Sequence, residues 1–208
     1  MVGTDAAMLS RARFLLPTFP RRAERMRMAL PIYWTADMVR ALPDDGKQYE
    51  TVYGELLVSP APRPWHEVIV GRLVRDLEEH VARTAQELHV FGSRSDISWS
   101  DDTLVQPDVF VVPLAEARTL QWSAMKSLLL AVEVLSPSSE RADRFAKRRL
   151  YQDVGIPLYW IIDADAHEVE GWTPKLRFPV VERERVVWAP EGAREPCVVE
   201  LQDLFRPL

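Results

Sequence analysis

Leu128-Leu129-Leu130-Ala131-Val132-Glu133-Val134-Leu135, then a charged stretch opening at Ser138-Ser139, then Gly155 and Leu158-Tyr159-Trp160-Ile161-Ile162, decide the fold. The outer pieces are continuous apolar runs with branched and aromatic residues, the pattern of buried strands. Between them Ser138 or Ser139 can cap a helix running to about Asp153, and Gly155 suits its end. Working outward, Thr35 is a good cap for a short helix over 36–42, stopped by Pro43. Strands over 48–52 and 55–59 flank Tyr53-Gly54, which reads as a two-residue hairpin turn. Val68, Ile69, Leu73, Leu77 and Val81 recur at helical spacing, so a helix is expected from Trp65 to about Arg83. Further strand-like runs cover 88–92, 96–99, 105–112, 167–172, 182–188 and 197–201. Helices interleaved with strands predict an α/β (α+β) fold: a mixed sheet flanked by helices, with an N-terminal hairpin and a β-rich C-terminal tail.

The 208-residue length suits one domain with a sizeable core. Residues 1–30 show no sustained amphipathic period and contain Pro17 and Pro20, so a poorly ordered extension is expected there, with a single domain over 31–208. The lone cysteine, Cys197, excludes an internal disulfide and fits a reducing compartment. No apolar run approaches the roughly 18 residues a membrane helix needs, and Phe14-Leu15-Leu16 is too brief for a secretory segment. A cytoplasmic protein without membrane contact is expected. The net charge is −5; six arginines against two acids give residues 1–27 a balance of +4, which leaves −9 for the rest. Proteins that wrap nucleic acid non-specifically are usually basic, so any such contact here must be local. Clustered acids suit a divalent cation instead.

Charged residues within strand cores carry the chemistry. Alternation places Glu133 on the face shared by Leu129, Ala131 and Leu135. A carboxylate there costs several kcal/mol, as an order of magnitude, unless paired or bound to metal. Asp108 opens a second apolar run, Val109-Phe110-Val111-Val112. As sheet neighbours the two strands would bring both carboxylates within reach of one Mg²⁺, which takes oxygen ligands and keeps several waters. The competing reading makes each a strand-end residue in a salt bridge. On the following helix Asp143, Lys147 and Tyr151 lie four apart on one face, beside the more apolar face of Ala142, Phe145 and Leu150. Lys147 sits at the border of that stripe, able to turn inward and stabilise charge on a phosphate; a solvated Asp143–Lys147 pair is the alternative. Around the hairpin, Glu50 and Glu55 fall on the same sheet face, and either can join a metal site or activate water. Exposure is expected of Glu50 more than of Glu55. His66, near its helix start, is a candidate phosphate contact or proton carrier. No phosphate-binding glycine loop, nucleophile elbow or zinc-binding histidine spacing occurs.

Gln48-Tyr49-Glu50, Gly54-Glu55-Leu56-Leu57-Val58-Ser59-Pro60-Ala61-Pro62, Gln106-Pro107-Asp108-Val109, Val132-Glu133-Val134-Leu135-Ser136-Pro137-Ser138 and Gly155-Ile156-Pro157-Leu158-Tyr159-Trp160-Ile161-Ile162-Asp163 follow one another in an order that is familiar. Together they resemble the Uma-type putative restriction endonuclease family, of the PD-(D/E)XK nuclease superfamily, over roughly residues 30–175. The resemblance implies Asp108 and Glu133 as ligands of Mg²⁺, or Mn²⁺, with the Val134 carbonyl, and Glu55 as an added acidic member. Leu135 stands where the catalytic lysine usually is; Lys147 takes its place on the next helix. Tyr53 also departs from the family's usual aspartate, and Leu158 from a polar residue. The function this implies is Mg²⁺-dependent hydrolysis of nucleic-acid phosphodiesters, with DNA ahead of RNA as partner and a homodimer left open. Arg141, Arg144, Arg148 and Arg149 would face the nucleic-acid backbone, unless they only keep the helix soluble. A catalytically silent interaction module with the same fold, and a metal-dependent phosphoesterase for small molecules, are the rival readings.

Overall fold

The computed structural model describes residues 32–84, 86–92 and 95–208; the extension expected over residues 1–30 lies outside the described residues. Helix α1 (Ala36–Arg40) begins at Thr35, whose hydroxyl accepts the Met38 N–H at 3.2 Å. It leads to the hairpin of β1 (Gln48–Val52) and β2 (Glu55–Ser59), where Glu50 faces Leu57 and Val52 faces Glu55. Tyr53 and Gly54 both adopt positive φ, 52° and 78°, as a type I′ turn requires. The Tyr33 ring lies where a Cβ on Gly54 would be, so the turn needs glycine for space as well as conformation.

Helix α2 (Pro64–Thr84) opens on a proline, whose missing N–H costs nothing in a first turn. Its Ile69, Leu73 and Leu77 recur every fourth residue and are fully buried, each contributing about 1.5–3 kcal/mol of apolar burial. They pack on one face of a six-stranded sheet ordered β3 (Leu88–Gly92), β4 (Val109–Pro113), β5 (Leu130–Val134), β6 (Tyr159–Asp163), β7 (Glu168–Trp172), β8 (Val180–Glu182). A short helix α3 (Leu114–Ala117) follows β4. Neighbours run antiparallel except β5 and β6, which are parallel and therefore need a crossover. The crossover is helical from Glu140 to Asp153, with π-helical turns over Ala142–Lys147 and regular turns in α4 (Arg148–Asp153). Gly155, at φ 79°, ends it, and the Ile156 N–H reaches back to the Tyr151 carbonyl at 2.9 Å.

The sheet separates two cores. Val109, Val111, Val132, Val134, Trp160 and Ile162 meet α2 and the C-terminal hairpin of β9 (Arg185–Trp188) and β10 (Cys197–Glu200), followed by α5 (Leu201–Leu204). Phe110, Val112, Ala131, Tyr159 and Ile161 face the other way, toward Val52 and the crossover residues Leu150 and Tyr151. Glu133 points into this second side. Among the described residues no helix is long and apolar enough to cross a membrane.

Three expected strands differ: the run 105–112 is strand only from Val109 onward. Residues 96–99 make only a single bridge, Ile97 to Val105. Ser98 Oγ donates to the Ser100 carbonyl at 2.9 Å and Ser100 Oγ to Asp102 at 2.6 Å, local bonds that compete with a ladder. The run 182–188 divides into β8, at the edge of the large sheet, and β9, which pairs only with β10.

Candidate active site

The antiparallel register of β4 and β5 pairs Val109 with Val132; one step further along that ladder, Asp108 lies beside Glu133. Alternation then puts both on the second face, with Phe110 and Ala131. The Asp108 Oδ2 accepts the Val134 N–H at 2.7 Å and lies 3.1 Å from His66 Nε2 at the start of α2. Both carboxylates, Val134, His66 and Lys147 line one cleft of about 560 Å³, closed on its other sides by Pro60–Arg63 and Ser136–Ser139.

Lys147 is the hub. Its Nζ lies 2.7 Å from Glu50 Oε2, 3.1 Å from Glu133 Oε1 and 3.3 Å from Asp143 Oδ1, and its side chain is 4% exposed. The π turns favour this convergence: the Arg148 N–H bonds to Asp143 O, five residues back, and Asp143, Lys147 and Tyr151 are all buried on one face. The Tyr151 hydroxyl donates to Glu133 Oε1 at 3.1 Å, and the Gln106 N–H donates to Glu50 Oε1 at 2.6 Å.

One ammonium therefore serves three buried carboxyl groups. Burial pushes the Glu133 carboxyl well above its ordinary range; Lys147 opposes this, and repulsion from Asp143, Asp108 and Glu50 adds to it. Burial also raises Glu50 and Asp143 against the pull of Lys147. For Lys147 burial works the other way, but Glu133, Glu50 and Asp143 outweigh it and keep the ammonium charged. Burial opposes the imidazolium of His66, yet Asp108 and Glu67 prevail and raise it. Tyr151 is held as a neutral hydroxyl, first by burial and then by Glu133.

Among the described residues no three His, Cys, Asp or Glu side chains form a metal-holding group. The donor set nevertheless fits a hard divalent ion, for which one or two carboxylates plus water and substrate oxygens suffice. Both contacts to Asp108 fall on Oδ2 and both to Glu133 on Oε1. One oxygen of each thus carries no hydrogen bond or ion pair among the described residues, and the site's excess negative charge favours a cation.

Some expected members lie elsewhere. Glu55 is exposed at the hairpin turn and borders a different groove, whereas Glu50, 2% exposed, contacts Lys147. This reverses the expected order of exposure: both share the face set by the turn, but only Glu50 has Lys147 and Gln106 packed over it. Arg144 is engaged by Glu170 at 2.7 Å, by Asp163 at 3.2 Å and by Glu140. Arg148 bonds to Gln152 at 2.7 Å and lies over the Trp172 ring; Arg149 pairs with Asp153 at 3.5 Å and overlies Tyr53. Arg141 is exposed. Sequence reasoning missed the His66–Asp108 contact, because no local pattern joins positions 42 residues apart. Asp143 and Tyr151 had a signal, their four-residue spacing from Lys147.

No curated protein sequence matches this chain. A crystal structure described as a putative nuclease belonging to DUF820, from Anabaena variabilis, is similar with a TM-score of 0.65 and 20% identity, over 83% of this chain and 97% of that one. At that identity the likeness speaks for the fold. A family model described as "Uma2: Putative restriction endonuclease" matches residues 36–195, and the chain belongs to that family, with its PD-(D/E)XK-like architecture.

Proposed function

We propose that the chain is a Mg²⁺-dependent endonuclease that hydrolyses phosphodiester bonds of nucleic acid, with Mn²⁺ as a substitute ion. The observation that carries this reading is the buried Lys147, drawn onto Glu50, Glu133 and Asp143 beside the strand-paired Asp108. A helix lysine thereby supplies, next to Glu133, the cation that Leu135 does not.

Asp108, Glu133 and the Val134 carbonyl would hold the ion. When bound, it would polarise a phosphate oxygen and lower the pKa of a water. Tyr151 and Lys147 orient Glu133, and His66 and the Val134 N–H orient Asp108. Such supporting contacts fix ligand geometry and commonly matter 10- to 100-fold (order of magnitude). Lys147 also offsets negative charge near the reacting phosphate, from a position buried enough for that charge to count. Glu50 serves as the positioning residue for Lys147.

The test is cleavage of mixed DNA and RNA substrates with Mg²⁺ or Mn²⁺, using Glu133→Ala as control. Metal-dependent cleavage lost in the variant is expected. The internal engagement of Arg144 and Arg148 instead favours a silent interaction module. That reading gains if neither metal-induced stabilisation nor cleavage is found.

A further inference from the structure

Beside the cleft runs a second groove, of about 640 Å³, between β2 and the crossover helix. Ser59 and Ser138 line both, so the two adjoin. The groove exposes large apolar groups that the fold had no need to leave in water: Phe145 at 64%, Val58 at 46% and Tyr53 at 42%. Phe145 stands out because its helix neighbours Asp143 and Lys147 are buried. Around it are cations. Arg141 is exposed and has no ion pair or hydrogen bond among the described residues; the Arg149 side chain is 73% exposed despite its Asp153 contact. Among the described residues Glu55 is the one acid lining the groove. On a chain of net charge −5, this is a locally positive channel with aromatic faces.

Aromatic platforms beside a positive groove are what unpaired bases on a phosphate backbone require. An apolar peptide added along the edge of β2 would use the apolar lining but leave the arginines without counter-charges. From Ser59 and Ser138 to Tyr53 the remaining side chains are apolar or charged, and the Tyr53 hydroxyl already donates to Asp153. Beyond those two serines at the cleft end, the lining offers no free uncharged polar side chain to read a ribose 2′-hydroxyl, which favours DNA.

We propose that this groove holds a single, unpaired DNA strand and leads it to the Asp108–Glu133 cleft, with bases stacked on Phe145 and phosphates on Arg141 and Arg149. The proposal rests on the nuclease reading of that cleft. The experiment is fluorescence anisotropy of a labelled single-stranded oligodeoxynucleotide in EDTA, so that binding is read without hydrolysis. Matching RNA, duplex DNA and an extended valine-rich peptide serve as competitors. Phe145→Ala should weaken binding about 5- to 150-fold, the loss of one stacked base, without moving the melting temperature. Arg141→Glu should weaken it and flatten its salt dependence by at least about 0.7 in log–log slope, one phosphate contact. Binding unchanged in Phe145→Ala, or RNA, duplex or peptide competing better than the single strand, would overturn the proposal. Metal-dependent cleavage of duplex with no affinity for the single strand would sink the groove reading alone. Phe145-dependent binding without cleavage under either metal would remove the hydrolytic reading and leave the groove.

Discussion

Replacing Lys147 by methionine tests the centre of the site, because methionine has similar length and keeps the packing while deleting the charge. The ammonium contacts Glu50, Glu133 and Asp143, whose side chains are at most 4% exposed. Removing one partner of such a buried assembly costs about 3–5 kcal/mol, because the charges left behind have no counter-ion. The protein can escape by binding a proton, so the cost must depend on pH. A carboxyl group whose folded pKa is raised stabilises the fold fully below its unfolded value, about 4.3, and loses that stability as pH rises through the folded pKa. Each extra proton held by the folded state corresponds to a slope of about −1.4 kcal/mol per pH unit. Over about three units, from pH 5 to 8, one such proton accumulates about 4 kcal/mol, in line with the cost of the unpaired charge. Urea unfolding in EDTA across that range should therefore show parent and Lys147→Met close together at pH 5 and diverging steadily toward pH 8. At the upper end the melting temperatures should differ by about 6–20 °C. A gap below about 1 kcal/mol at pH 8, or one independent of pH, would refute the account of Lys147 as the cluster's counter-ion.

Further outcomes follow from neighbouring contacts. Glu133→Gln should leave stability at neutral pH unchanged or raised without metal, since burial and three other carboxylates disfavour that charge. Mg²⁺ at 100 times its Kd should stabilise the parent by about 2.7 kcal/mol and leave the variant unmoved; equal shifts in thermal melts would remove Glu133 from the site. Glu50→Gln should lower cleavage about 10- to 100-fold by freeing Lys147, whereas Glu55→Gln should stay within about twofold, and initial rates on one substrate compare them directly. Gly155→Ala should cost about 1–2 kcal/mol in urea unfolding: a Cβ there meets nothing within 4 Å, so the loss is that of φ 79° alone.

The sequence by itself determined the elements and their faces. Tyr53-Gly54 between two alternating runs specified the hairpin and its register, and Gly155 the end of the crossover, because turn and cap chemistry is local. Apolar alternation interrupted by one acid singled out Asp108 and Glu133, since a charge on a core face conflicts with its surroundings wherever the strand is placed. Tertiary structure alone decided which side chains were covered. Glu50 and Glu55 share a face by register, yet burial reached only the one beneath Lys147, a residue 97 positions away from Glu50. The arginines of the crossover helix look alike in sequence. Strands β6 and β7 brought Asp163 and Glu170 to Arg144, while Arg141 stayed in water. The run 182–188 offers one continuous pattern, and it divided because β8 paired with β7 and β9 with β10. Periodicity records which way a side chain points relative to its own backbone. What lies in front of it depends on segments tens of residues distant, and that is where burial, charge pairing and the candidate site were settled.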